Sequence, residues 1–69
     1  MSDSDRSFSP ERLVKSRIEA RLTQRALATA AGLSQSLVAE LERGKHPPSR
    51  ASLDKLAGAL GVDPSEFLR

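Results

Sequence analysis

LTQRALATAAGLSQSLVAELERG, residues 22–44, decides the fold. Two segments rich in alanine and leucine meet at Gly32. Thr23 is a helix-capping residue by type, because its hydroxyl can accept a free backbone N–H of the first turn. It predicts a short helix over Gln24–Ala31. Leu27, Ala28 and Ala31 recur at helical spacing and form its inner face, small enough for a neighbour to approach closely. Gly32 stands where the chain must adopt positive φ to leave the helix, and Leu33 plugs the turn. Ser34 caps the next helix, predicted over Gln35–Arg43 and ended by Gly44. Spacing sends Val38 and Leu41 to the core with Glu42 beside them. The opposite side carries Gln35, Ser36, Ala39, Glu40 and Arg43, with Leu37 at the border. An ordinary solvated face carries more Lys and Glu. This one opens on short, uncharged polar side chains, and that calls for a reason.

Upstream, Ser9-Pro10-Glu11 combines a cap, a proline suited to the first helical position and an acid at the positive helix end. It predicts a helix from Pro10 to Arg21, with Leu13, Arg17 and Ala20 on one face and Val14 and Ile18 beside it. Residues 1–8 are rich in Ser and Asp without periodicity and are expected to form a flexible tail, although Phe8 is able to fold back onto the core. Downstream, Lys45-His46-Pro47-Pro48 forms a loop. Ser49 caps a helix over Arg50–Leu60 that turns Leu53, Leu56, Ala57 and Leu60 inward, and Gly61 ends it. Asp63-Pro64-Ser65-Glu66 starts a fifth helix completed by Phe67 and Leu68. The expectation is an all-α domain of five short helices over residues 9–69, with no strand.

Composition agrees with that class. The chain has 69 residues, no Cys, Trp or Tyr, and two Phe, so its core is aliphatic and too small for a second domain. No apolar run approaches the roughly 20 residues of a membrane span, and no signal segment opens the chain. A soluble, cytoplasmic protein is expected. Enzyme chemistry lacks its parts: there is one His, no thiol, no glycine-rich phosphate loop and no set of metal ligands. No cofactor, metal or small-molecule substrate is expected. The formal net charge is only +2. Residues 11–50, however, hold eight basic against four acidic side chains, which places an anionic partner on the first two-thirds of the fold.

A helix of about eight residues, a glycine-containing turn of about three and a helix of about nine make a helix-turn-helix. In that motif the second helix enters the DNA major groove by its N-terminal end while the first crosses the backbone. Gln35 and Ser36 then face base edges: Gln suits adenine, Ser donates or accepts, and Ala39 or Leu37 can touch a thymine methyl. Gln24 is placed to reach a phosphate with help from its backbone N–H.

The spacing and identities of Arg17, Leu22-Thr23-Gln24, Leu27-Ala28, Gly32-Leu33-Ser34, Val38, Leu41-Glu42-Arg43-Gly44, Pro48, Leu53, Leu56-Ala57 and Leu60-Gly61-Val62 resemble the Xre-type family of lambda and 434 repressor and Cro proteins. The resemblance covers about residues 13–68. It implies a compact five-helix lambda-repressor-like DNA-binding domain that binds double-stranded DNA as a homodimer on a near-palindromic operator, usually to repress. Such a regulator would associate with the nucleoid. It further implies base contacts from Gln35, Ser36, Leu37, Ala39 and Glu40, and phosphate contacts from Thr23, Gln24, Ser34, Arg43, Lys45 and Arg50. Arg17 and Glu42 resemble a structural ion pair between the first helix and the recognition helix.

Two positions depart from the family. Glu40 replaces a neutral or basic residue on the DNA side, where a carboxylate is repelled unless it accepts from cytosine N4; pairing with Arg43 would soften the repulsion. Leu37 is larger than usual. Val62, Phe67 and Leu68 are the candidate dimer surface, and the alternative is that they close the core. Arg21 and Arg25 are expected as solvated charges. His46 is a lone loop histidine with no expected role. The rival function is a protein-interaction module, or an antitoxin-type partner, that retains the fold.

Overall fold

The computed structural model describes residues 7–69. Helix α1 spans Pro10–Glu19, α2 Gln24–Ala31, α3 Gln35–Glu42 and α4 Arg50–Leu60, followed by a 3-10 turn over Pro64–Phe67. Among the described residues no strand occurs beyond one isolated bridge.

Local signals set most of the helix ends. The Thr23 hydroxyl accepts the Ala26 N–H at 3.0 Å, that of Ser34 the Leu37 N–H at 3.0 Å, and that of Ser49 the Ser52 N–H at 3.1 Å. Each cap satisfies one donor the helix itself leaves open. Gly32 (φ 71) and Gly61 (φ 69) end α2 and α4 in the left-handed region. Helices α2 and α4 therefore have the bounds expected of them.

Three elements differ from expectation. Helix α1 ends at Glu19 rather than Arg21: Ala20 caps it, and Arg21 reverses the chain at φ 61, the one described non-glycine residue with positive φ. Helix α3 ends one residue early, with Arg43 as its cap and Gly44 at φ 74 making the exit. The fifth helix is only the 3-10 turn. Asp63 caps it by accepting the Ser65 N–H at 2.9 Å, but Leu68 is already extended. Leu68 leaves the turn because it bridges Phe8. Around that bridge the Ser9 N–H donates to the Phe67 carbonyl at 2.7 Å and the Arg69 N–H to that of Ser7 at 2.9 Å. Ser7 and Phe8 thus join the fold instead of a tail, and residues 1–6 of the expected tail lie outside the described residues.

Leu13, Leu27, Val38, Leu41, Leu56 and Phe67 are wholly buried, and Ala28, Ala31 and Ala57 let the helices approach between them. Helix α2 packs on α3 and α4, while α1 packs on α3 and the 3-10 turn. Helix α3 is thus held between α2, its neighbour in sequence, and α1. Phe67, considered above as a dimer contact, closes the core, where its burial contributes about 3 kcal/mol. Val62 and Leu68 remain half-exposed. Ile18, expected beside the inner face, is 59% exposed. No helix of the described residues is long and apolar enough to cross a membrane.

Candidate nucleic-acid interface

The outer side of α3 is open. Gln35 and Ser36 are exposed, as is Arg43 at the far end. Ala39 and Glu40 are half-exposed, and Leu37 is half-buried against the core. The presented face therefore begins with two uncharged hydrogen-bonding side chains and continues over an apolar patch to a carboxylate. Thr23 and Ser34, the caps of α2 and α3, are exposed beside it, as are Lys45 and Arg50 in and after the following loop. Arg50 lies 3.5 Å from Asp54, but its side chain is 85% exposed, so the pair restrains it weakly.

Behind this face a polar network fixes how α3 stands. Arg17 of α1 grips Glu42 of α3 in bidentate fashion: Nε donates to Oε2 at 2.6 Å and Nη2 to Oε1 at 3.2 Å. Its Nη1 donates to the Leu22 carbonyl at 2.8 Å, holding the turn between α1 and α2. Gln24, the first residue of α2, donates from Nε2 to Glu42 Oε1 at 2.9 Å. One carboxylate thus ties α1, α2 and α3 together. Its side chain is 5% exposed and that of Arg17 16%, so water competes little for these bonds. Gln24, considered from sequence as a phosphate ligand alone, has an inward role that sequence reasoning missed. A carboxamide nitrogen carries two N–H groups, and the network uses one.

The expected Glu40–Arg43 pairing is replaced. Glu40 Oε1 instead lies 3.3 Å from Nε2 of His46, a loop residue with no expected role, and Nδ1 of the same ring lies 3.3 Å from the Pro47 carbonyl oxygen. Gly44 turns the loop back across the end of α3, and a Cβ there would come within 3.3 Å of Pro10 Cγ. The Lys45 N–H donates back to the Glu40 carbonyl at 3.1 Å. No signal local to His46 in the chain predicts that return.

Beside the loop is an open cleft of about 750 Å³, bordered by Phe8, Glu11, Arg43, Lys45, His46 and Arg69 among others. The carboxyl of Glu11 is held below its ordinary pKa by its own backbone N–H and then by the Ser9 hydroxyl, which donates to it at 3.2 Å. Among the described residues no group of three or more His, Cys, Asp or Glu is placed to hold a metal.

Comparisons with known proteins agree with the all-helical helix-turn-helix fold. The helix-turn-helix family model matches residues 13–67. An immunity repressor protein of Bacillus phage phi105 is 44% identical over 58 residues, which are 84% of this chain and 40% of that protein. The chain therefore spans about two-fifths of the length of that relative. Among solved structures, the restriction-modification controller protein C.AhdI of Aeromonas hydrophila superposes with a TM-score of 0.81 at 38% identity, over 84% of this chain and 88% of that one. The DNA-binding domain of the P22 C2 repressor gives 0.76 at 29% identity, over 80% and 72%. The chain belongs to the Xre-type helix-turn-helix family.

Proposed function

We propose that this protein is a sequence-specific DNA-binding transcription regulator, acting as a repressor, which places α3 in the major groove of a near-palindromic operator. The observation that carries the reading is the α3 face. Gln35 and Ser36 are free at the N-terminal end of a helix whose other side is locked to α1 and α2 by one shared carboxylate. A groove-reading helix needs this combination of free hydrogen-bonding groups and fixed orientation. The kinship with a phage immunity repressor, a restriction-modification controller and the DNA-binding domain of a second repressor supports the same conclusion.

In this reading Gln35 and Ser36 bond base edges, Leu37 and Ala39 contact thymine methyls, and Glu40 accepts from a cytosine. Thr23, Gln24, Ser34, Arg43, Lys45 and Arg50 hold phosphates, Gln24 through the N–H that Glu42 leaves free. Two copies bind half-sites about 34 Å apart, with Val62 and Leu68 available at the contact between them. The protein works in the cytoplasm, on the nucleoid, and is not an enzyme.

Selection from random duplexes at moderate salt tests this. An enriched inverted repeat is the expected result. With three cationic phosphate ligands on each of two copies, the logarithm of affinity should fall against the logarithm of salt with a slope of about −5. No enrichment, together with no binding at low salt, would refute the reading in favour of a protein-interaction module.

A further inference from the structure

His46 stands between two acceptors. Its Nε2 faces Glu40 Oε1 and its Nδ1 faces the Pro47 carbonyl oxygen, each at 3.3 Å. A neutral imidazole has one N–H and satisfies one of them; only the imidazolium donates to both. The side chains of His46 and Glu40 are 48% and 38% exposed, so the pair is accessible from outside the fold. Gly44 turns the loop at φ 74, and Pro47 and Pro48 restrict the backbone that leads on to α4.

Glu40 lies one helical turn beyond Ser36 on the side of α3 proposed to read bases. A carboxylate there has two opposed effects. It is repelled by phosphates, and it accepts from the amino group of cytosine. With Oε1 held by the His46 ring, the carboxylate is oriented and Oε2 is left for the base. A protonated ring also offsets the negative charge. We propose that His46 is a specificity-determining positioning residue, which makes Glu40 an acceptor for cytosine instead of a repulsive charge on the DNA face. The proposal rests on the DNA-binding reading above. Glu11 of α1, Glu42 and Arg43 at the end of α3, neighbouring Lys45 and Arg69 border the same cleft, but the hydrogen bonds of the ring go to Glu40 and Pro47.

The test uses the whole chain in two measurements. Duplexes varied at each position of the selected site are titrated against the wild type and two variants. The wild type should prefer cytosine at one position per half-site, roughly tenfold over the other bases. His46→Gln should lose most of that preference while its affinity for the other bases at that position stays close to wild type. Glu40→Gln should lose the preference altogether. An unchanged preference in His46→Gln would overturn the proposal. The second measurement compares the ring nitrogen NMR signals of His46 in free wild type and free Glu40→Gln. They should differ. Identical signals with DNA binding intact would refute the role of His46 alone. Different signals with no DNA binding at low salt would refute the DNA-binding reading, and the specificity role with it.

Discussion

Replacing Arg17 by Met leaves the Glu42 carboxylate 5% exposed with Gln24 as its remaining side-chain partner. Removing one member of a buried pair typically costs about 3–5 kcal/mol. Two features reduce this: the retained Gln24 bond, and the 16% exposure of Arg17, which lets water reach the vacated site. One feature raises it, since the Leu22 carbonyl loses its donor, a loss worth about 1 kcal/mol. The net expectation is about 3 kcal/mol. Folding free energies of about 0.05–0.15 kcal/mol per residue leave a domain of this size about 3–10 kcal/mol in total, so the single substitution approaches the limit of foldability. Glu42→Leu should cost a similar amount, because it strands the guanidinium. Combining the two removes both charges together, and the double variant should be at least about 2 kcal/mol more stable than the sum of the single losses predicts. Urea titration with linear extrapolation reads all four proteins. Strictly additive losses, or single losses below about 1 kcal/mol, would refute the claim that this bridge is a buried, coupled unit.

Arg21→Gly should stabilise the domain by up to about 1 kcal/mol in the same titration, because φ 61 strains any residue with a Cβ. Asp63→Asn should flatten the acid limb of the stability profile. The Ser65 backbone N–H holds the Asp63 carboxyl below its ordinary pKa. Its contribution is therefore fully present above the ordinary carboxylate range near about pH 4 and is lost as pH falls through the lowered value. Gln35→Ala should cost about 1–3 kcal/mol of DNA affinity and relax preference at a single base pair per half-site, measured by competition among variant duplexes. An equal loss on every duplex would deny it a base-reading role.

Where structure followed local chemistry, the sequence was legible. Thr23 with Gly32, and Ser49 with Gly61, bracket α2 and α4 because a capping hydroxyl and a left-handed glycine act within one turn. Arg21 gave no such warning: it performs a glycine's task under tertiary constraint. The fifth segment has a cap, a proline and an acid in helical order, yet pairing of Leu68 with Phe8 stops it after one turn. Phe67 was a candidate for a dimer surface with core closure as the alternative, and the packing of α1 and α4 on its turn decides for the core. At the site, the open face of α3 was visible in its spacing. The inward bond of Gln24 and the return of His46 onto Glu40 depend on elements brought together in space, and sequence spacing does not encode either contact.

The pairing of residues 7–9 with residues 67–69 also has a mechanical meaning. Ser7 and Arg69 lie side by side in an antiparallel arrangement. Force applied to these two residues would therefore open the Arg69–Ser7 bond first and the Ser9–Phe67 bond after it, as a zip opens, instead of loading both in shear. The next element to leave is the 3-10 turn, which takes Phe67 out of the core. Pulled apart at Ser7 and Arg69, the domain should yield at low tension while the α2–α3 unit is still intact, so a load there reaches the core before the α3 face proposed to read bases.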